Sequence, residues 1–178
     1  MSYTIPDIQG FMGDTELQWL YETAQKMDSI VEIGCWRGKS THALLSGCRG
    51  PVYAVDHFHG SPDQVTTAHA DAKTQDIYAQ FLGHVGQFPN LVVHRMDSIE
   101  AARRFQPKSI DMVFIDGCHT LTAVLADLAA WRPICKKLLC GHDIGQDGVR
   151  PALQSAGVNY RNEVGSIWSH GMEGGKSV

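Results

Sequence analysis

The chain has no C-x-x-C pair, and its five cysteines (Cys35, Cys48, Cys118, Cys135, Cys140) form an odd set. That pattern gives no zinc framework and suits reduced thiols in a cytosol. No apolar run approaches the ~20 residues of a membrane span. The opening residues Met-Ser-Tyr-Thr-Ile-Pro-Asp lack the basic and apolar regions of a signal peptide. Positive charge is not in excess either. The formal net charge is −4, and Lys and Arg are scattered rather than striped, so nucleic acid is not expected as a partner. No internal repeat and no linker divides the 178 residues. With 43% apolar and 19% charged residues, disorder is not expected either. The expectation is one soluble, cytoplasmic domain over 1–170, with a flexible tail over 171–178.

What is present is an alternation of strand-like and helix-like segments, which argues for an α/β fold with a parallel sheet wrapped by helices. Asp14 or Thr15 can cap a first helix whose Leu17, Leu20, Tyr21 and Ala24 share a face. Strands are expected at 30–33, 52–55, 91–94, 110–115 and 138–141. Helices are expected at 39–45, around 77–83, near 101–105, from Leu121 to Trp131 and from 148 to 156. A final hairpin is read over 159–168. The stretch from His57 to Asp76 is polar and weakly patterned, and reads as a long loop with partial helix. His57 and His59, with His69, read as solvated residues of that loop rather than a metal cluster, because no fixed-spacing pair completes a tetrahedral set.

The segment Ser29-Ile30-Val31-Glu32-Ile33-Gly34-Cys35-Trp36-Arg37-Gly38-Lys39-Ser40-Thr41 is a strand, a glycine turn and a helix start, the layout that holds nucleotide-like ligands. A dinucleotide fingerprint needs glycines at 34, 36 and 39, but 36 is Trp and 39 is Lys. A phosphate loop needs one more residue before Gly38-Lys39-Ser40, which counts against an NTPase in which Lys39 serves phosphates and Asp116 holds magnesium. A tight turn with no ligand is the plainest alternative.

Ligands of open parallel sheets bind beyond the carboxyl ends of the strands. Every strand end here carries polar groups: Glu32 and Gly34, Asp56, Asp97-Ser98, Asp116 with His119, and His142-Asp143. Asp56 lies about 20 residues past the turn, where a carboxylate can accept both hydroxyls of a ribose. Asp97-Ser98 sits where adenine would lie, or Asp97 simply caps the helix that follows. Trp36 and Phe58 flank the pocket or pack ordinarily.

The run from Val31 to about Trp168 resembles the class I S-adenosylmethionine-dependent methyltransferases, in particular the small macrocin and sugar O-methyltransferases. The pieces that carry the resemblance are Val31-Glu32-Ile33-Gly34 with Gly38-Lys39-Ser40-Thr41, Val55-Asp56, Met96-Asp97-Ser98, Asp111 through His119, Gly141-His142-Asp143 and Gly165-Ser166-Ile167-Trp168. The resemblance implies a Rossmann-like, doubly wound, mostly parallel sheet of seven strands whose last pair is antiparallel. It implies methyl transfer to a hydroxyl of a small molecule or sugar. The cofactor-binding set it points to is Glu32, Gly34, Trp36, Gly38, Ser40, Asp56, His57, Asp97, Ser98 and Asp116.

In some relatives a divalent metal is also bound. Asp116, His142 and Asp143 stand at the corresponding positions, and the imidazole favours a softer ion than Mg²⁺, or none. Asp116 and His119 are the catalytic candidates. The second acid of sugar-modifying relatives is Cys118 here, so His119 is the candidate base, with a helix-capping role as its alternative. These departures leave room for a module that holds the cofactor without turnover. A pocket left open on one side is compatible with a homodimer.

Overall fold

Seven strands form one sheet in the order β3-β2-β1-β4-β5-β7-β6. The computed structural model describes residues 3–61 and 70–172. The strands are β1 (Ile30–Ile33), β2 (Val52–Val55), β3 (Leu91–His94), β4 (Ile110–Ile115), β5 (Cys135–Gly141), β6 (Arg161–Asn162) and β7 (Trp168–Gly171). β1 to β5 pair in parallel, and β7 is antiparallel to both β5 and β6. The seven strands and the antiparallel last pair are those the resemblance implies.

The helices are α1 (Asp14–Ala24), α2 (Lys39–Gly47), α3 (Ile77–Val85), α4 (Ser98–Ala102), α5 (Leu121–Trp131) and α6 (Val149–Ser155). The first three supply Leu17, Leu20, Leu44 and Phe81 to the core on one face of the sheet. The last three supply Ala101, Leu128, Trp131 and Leu153 to the other. Strand alternation divides the sheet's side chains between the two cores: Ile30 points to the first, while Val31 and Ile33 point to the second. All six residues of β4 are buried, as a central parallel strand requires. Strand order reverses between β1 and β4, so the switch point of the sheet opens at Gly34 and Asp116.

Several local readings change. Gly13, not Asp14 or Thr15, is the N-cap of α1, and the Glu16 carboxylate accepts its amide at 2.8 Å. Helix α2 continues through Ser46 and Gly47. Strand β5 begins at Cys135, three residues before the apolar run at Leu138, because Lys136 and Lys137 reach out of the sheet to Asp111. The final hairpin runs later than expected: Arg161 and Asn162 pair with Ser169 and Trp168, and β7 extends to Gly171. Gly171 therefore belongs to the sheet rather than to a tail, and 173–178 lie outside the described residues. His69 also lies outside them. Among the described residues no helix is long and apolar enough to cross a membrane.

Candidate active site

Hydrogen bonds that continue the ladder lock the strand tips together. Gly34 N–H donates to Val55 at 3.0 Å, Asp116 N–H to Ile33 at 2.8 Å, and His142 N–H to Ile115 at 3.1 Å. Above these tips lies a cavity of about 610 Å³, within the range of small-molecule sites. Its walls include Gly34, Trp36, Ser40, Asp56, His57, Asp97, Ser98, Asp116, His119, His142 and Asp143. The strand-end residues expected to converge do so, with the exception of Glu32. Trp36, Phe58 and Asp143, each just past a parallel strand, hold left-handed backbone at φ 49, 63 and 56. Such strain costs about 1–3 kcal/mol per residue and is concentrated at functional sites.

Glu32 and Gly38 are the two members of the expected cofactor set that do not line the cavity. The Glu32 side chain is fully buried and accepts the hydroxyls of Ser40 and Thr41, each at 2.5 Å. It thereby ties β1 to the start of α2. Burial raises its carboxyl to about 7 despite those two donors. Gly38, at φ 91, is the N-cap of α2, and a Cβ there would press on Phe81 and Val85 of α3. It serves helix packing. Gly34 serves the sheet: a Cβ on it would stand 2.2 Å from the Asp116 carbonyl oxygen.

Asp56 organises the glycine turn. Its Oδ2 accepts the amides of Cys35 at 2.9 Å and Trp36 at 3.0 Å, and its Oδ1 accepts that of Phe58 at 2.6 Å. A carboxylate has about four acceptor sites, so with three amides bound one is left for a ligand hydroxyl. His57 and His59 are exposed and stacked at 5.6 Å, with His57 Nδ1 accepting the His59 amide.

Asp97 is a helix cap: its Oδ1 accepts the amides of Ile99 and Glu100 at the start of α4. The Ser98 hydroxyl is committed as well. It accepts Trp131 Nε1–H at 2.8 Å and donates to Asp127 Oδ1 at 2.5 Å. Asp127, on α5, also lines the cavity, and burial raises its carboxyl to about 6. Sequence reading passed over Asp127, although its place beside Leu128 and three residues after Val124 puts it next to the buried stripe of α5.

At the other end of the cavity Asp116, His142 and Asp143 each offer a ligand atom within 4.8 Å of the others. His142 is 6% exposed. Its Nδ1 lies 3.3 Å from Asp143 and 3.7 Å from Asp116, and its Nε2 lies 2.9 Å from Glu16. Burial favours the neutral ring, but the Asp143 hydrogen bond and the surrounding carboxylates outweigh it and raise His142 to about 9. Burial raises Asp116 to about 7. Burial also works against the Asp143 carboxylate, yet its bonds to His119 and His142 hold it far below the usual range. His119 Nε2 is 2.9 Å from Asp143. The helix-capping alternative for His119 falls to its neighbour: Thr120 is the N-cap of α5 and accepts the Ala123 amide. Glu16 was also missed, and it holds three partners, His142, Gly13 and Ser166.

Fold and site together define an α/β enzyme built to bind a nucleoside-bearing ligand at its switch point. The chain belongs to the methyltransferase-domain family, whose model matches residues 31–144. That membership sets aside the phosphate-loop reading. No curated protein matches the chain.

Among solved structures, the chain is similar to an O-methyltransferase from Bacillus cereus in complex with S-adenosylhomocysteine. Identity is 17%, 94% of this chain and 84% of that chain are covered, and the TM-score is 0.62. It is also similar to the O-methyltransferase TomG of Streptomyces achromogenes, involved in tomaymycin synthesis and in complex with S-adenosylmethionine. There identity is 14%, coverage 89% and 79%, and the TM-score 0.63. A precorrin 8W decarboxylase from Methanobacterium thermoautotrophicum has a similar fold, at 16% identity, 94% and 95% coverage and a TM-score of 0.60. At these identities the likeness is one of fold.

Proposed function

We propose that this methyltransferase takes its methyl group from S-adenosylmethionine and delivers it to a hydroxyl of a small molecule or sugar. The observation that carries this reading is one cavity bordered by Asp56 at the glycine turn, by the apolar Met96, Ile99 and Ala126 beside Ser98, and by an acid–histidine cluster at the ends of β4 and β5. Asp56 accepts a ribose hydroxyl, the apolar lining at Met96, Ile99 and Ala126 takes adenine, and the turn over Gly34 to Trp36 faces the methionine end. The carboxylates around the cluster favour the positive sulfonium.

The acceptor oxygen attacks the methyl carbon in line as the sulfur–carbon bond breaks. The bonding electrons pass to sulfur, leaving S-adenosylhomocysteine, and the hydroxyl proton goes to His119, which Asp143 orients.

The donor set at Asp116, His142 and Asp143 fits a divalent cation. It offers two carboxylates and one imidazole, and Glu16 at His142 Nε2 is the kind of outer carboxylate that orients a ligating histidine. An imidazole in the set suits Mn²⁺, Co²⁺ or Zn²⁺ better than Mg²⁺. A bound cation would lower the pKa of the acceptor hydroxyl. The protein works in the cytoplasm as one domain, and a homodimer would cover the open side of the pocket.

Isothermal titration tests the reading. S-adenosylhomocysteine should bind with a dissociation constant at or below the micromolar range, and Asp56→Ala should weaken it at least tenfold. Production of S-adenosylhomocysteine with a panel of sugars, polyols and catechols separates an enzyme from a silent binding module.

A further inference from the structure

Asp127 combines three features that its place in a helix does not require. It is 6% exposed yet borders the cavity. One oxygen, Oδ1, is taken by Ser98, and the direction of that bond is fixed, because an indole N–H can only donate and Trp131 Nε1 already donates to the serine oxygen. The other oxygen, Oδ2, is aimed at the end of β4, 3.7 Å from where a Cβ on Gly117 would stand. Met96, Ile99, Ala123 and Ala126 line the same cavity. The lining thus sets a buried carboxylate among partly exposed apolar side chains, chemistry that suits a flat heteroaromatic ring carrying an exocyclic amine.

We propose that Asp127 reads the base: its Oδ2 accepts a hydrogen bond from the 6-amino group of the bound nucleoside and so selects a 6-amino over a 6-oxo purine. The inference rests on the reading that S-adenosylmethionine binds this cavity. A carboxylate facing a 6-oxo group sets acceptor against acceptor at a side chain only 6% exposed, where mismatched polar groups are costly. Asp97, another carboxylate of the cavity wall, has one oxygen occupied by the two amides it caps.

The test is isothermal titration of the full chain at pH 8 with S-adenosylhomocysteine and with its 6-oxo analogue, S-inosylhomocysteine. Wild type is expected to prefer the amino ligand by roughly 100-fold. Asp127→Asn, whose amide can donate to a 6-oxo group, should bring the two ligands to within about threefold, chiefly by tighter binding of the 6-oxo analogue. A merely structural role would weaken both ligands alike and leave the ratio unchanged, and that result overturns the inference. A ratio that collapses in Asp97→Asn but not in Asp127→Asn also overturns it. Wild type that binds neither ligand removes the cofactor reading itself. Should Asp127→Asn not fold, wild type decides with the N6,N6-dimethyl analogue: a loss of at least about tenfold supports the inference, and equal affinity refutes it.

Discussion

Replacing Gly34 by Ala perturbs the point where the sheet's switch and the site coincide. The added Cβ would lie 2.2 Å from the Asp116 carbonyl oxygen and 2.8 Å from the Gly117 Cα, where real contacts do not fall below 3.0 Å. Either β1 and β4 part by nearly an ångström at their tips, or the turn abandons φ 84. Left-handed backbone costs a residue with a Cβ about 1–2 kcal/mol. Overpacking a close-packed junction adds about 1–3 kcal/mol. The sum is about 2–5 kcal/mol, and it falls on the bonds from Gly34 to Val55 and from Asp116 to Ile33.

Gly83→Ala is the matched control. That glycine is inside α3 with open space where its Cβ would go, so alanine should stabilise by about 0.5–1 kcal/mol. Urea denaturation gives both numbers, and titration with S-adenosylhomocysteine should show binding lost at least tenfold only for Gly34→Ala. Gly34→Ala with stability within 1 kcal/mol of wild type and unchanged binding would refute the reasoning.

Three further outcomes follow from the site. The Glu32 carboxyl is raised from 4.5 to about 7, so the folded state holds its proton more tightly than the unfolded state; its contribution is full below about pH 4.5 and is lost as pH rises through 7. That interval corresponds to about 3 kcal/mol, so wild type should lose more stability than Glu32→Gln between pH 5 and pH 8.5 in urea titrations. Arg37 is 3% exposed and binds Gln9, Asp71, Gln75 and Gln80, joining the N-terminal segment and the approach to α3 to the glycine turn. Arg37→Met should cost about 2–4 kcal/mol in denaturation and speed proteolytic cleavage between 70 and 80. Glu16→Gln should weaken binding of Mn²⁺ or Co²⁺ about 10–100-fold in calorimetric titration, because His142 loses the carboxylate that orients it.

The strands were legible because β1, β2, β3 and β4 are short, mostly apolar runs closed by turn residues, which suits a parallel sheet even where β3, at its edge, is only partly buried. β5 was misjudged at its start, since Lys136 and Lys137 look like loop but send their charged heads to Asp111. The late hairpin was displaced because Trp168-Ser169-His170-Gly171 has little strand propensity and is held by pairing with β5. Polar residues at strand ends identified the cavity, yet the same chemistry could not tell ligand contact from support. Glu32, which does not line the cavity, holds Ser40 and Thr41, and Gly38 packs against α3, whereas Ser98, bonded to Asp127, and Asp97, capping α4, also line the cavity. Glu16 carried no local signal, because its partner His142 is 126 residues away and only the fold brings them together.

A crystal of the chain soaked in S-adenosylhomocysteine tests the central claim most directly. The account predicts density along the crevice over the tips of β1, β2 and β4, with a ribose hydroxyl on Asp56 and the 6-amino group on Asp127. Density for the ligand elsewhere on the surface, or a crevice that stays without ligand at saturating concentration, would contradict it.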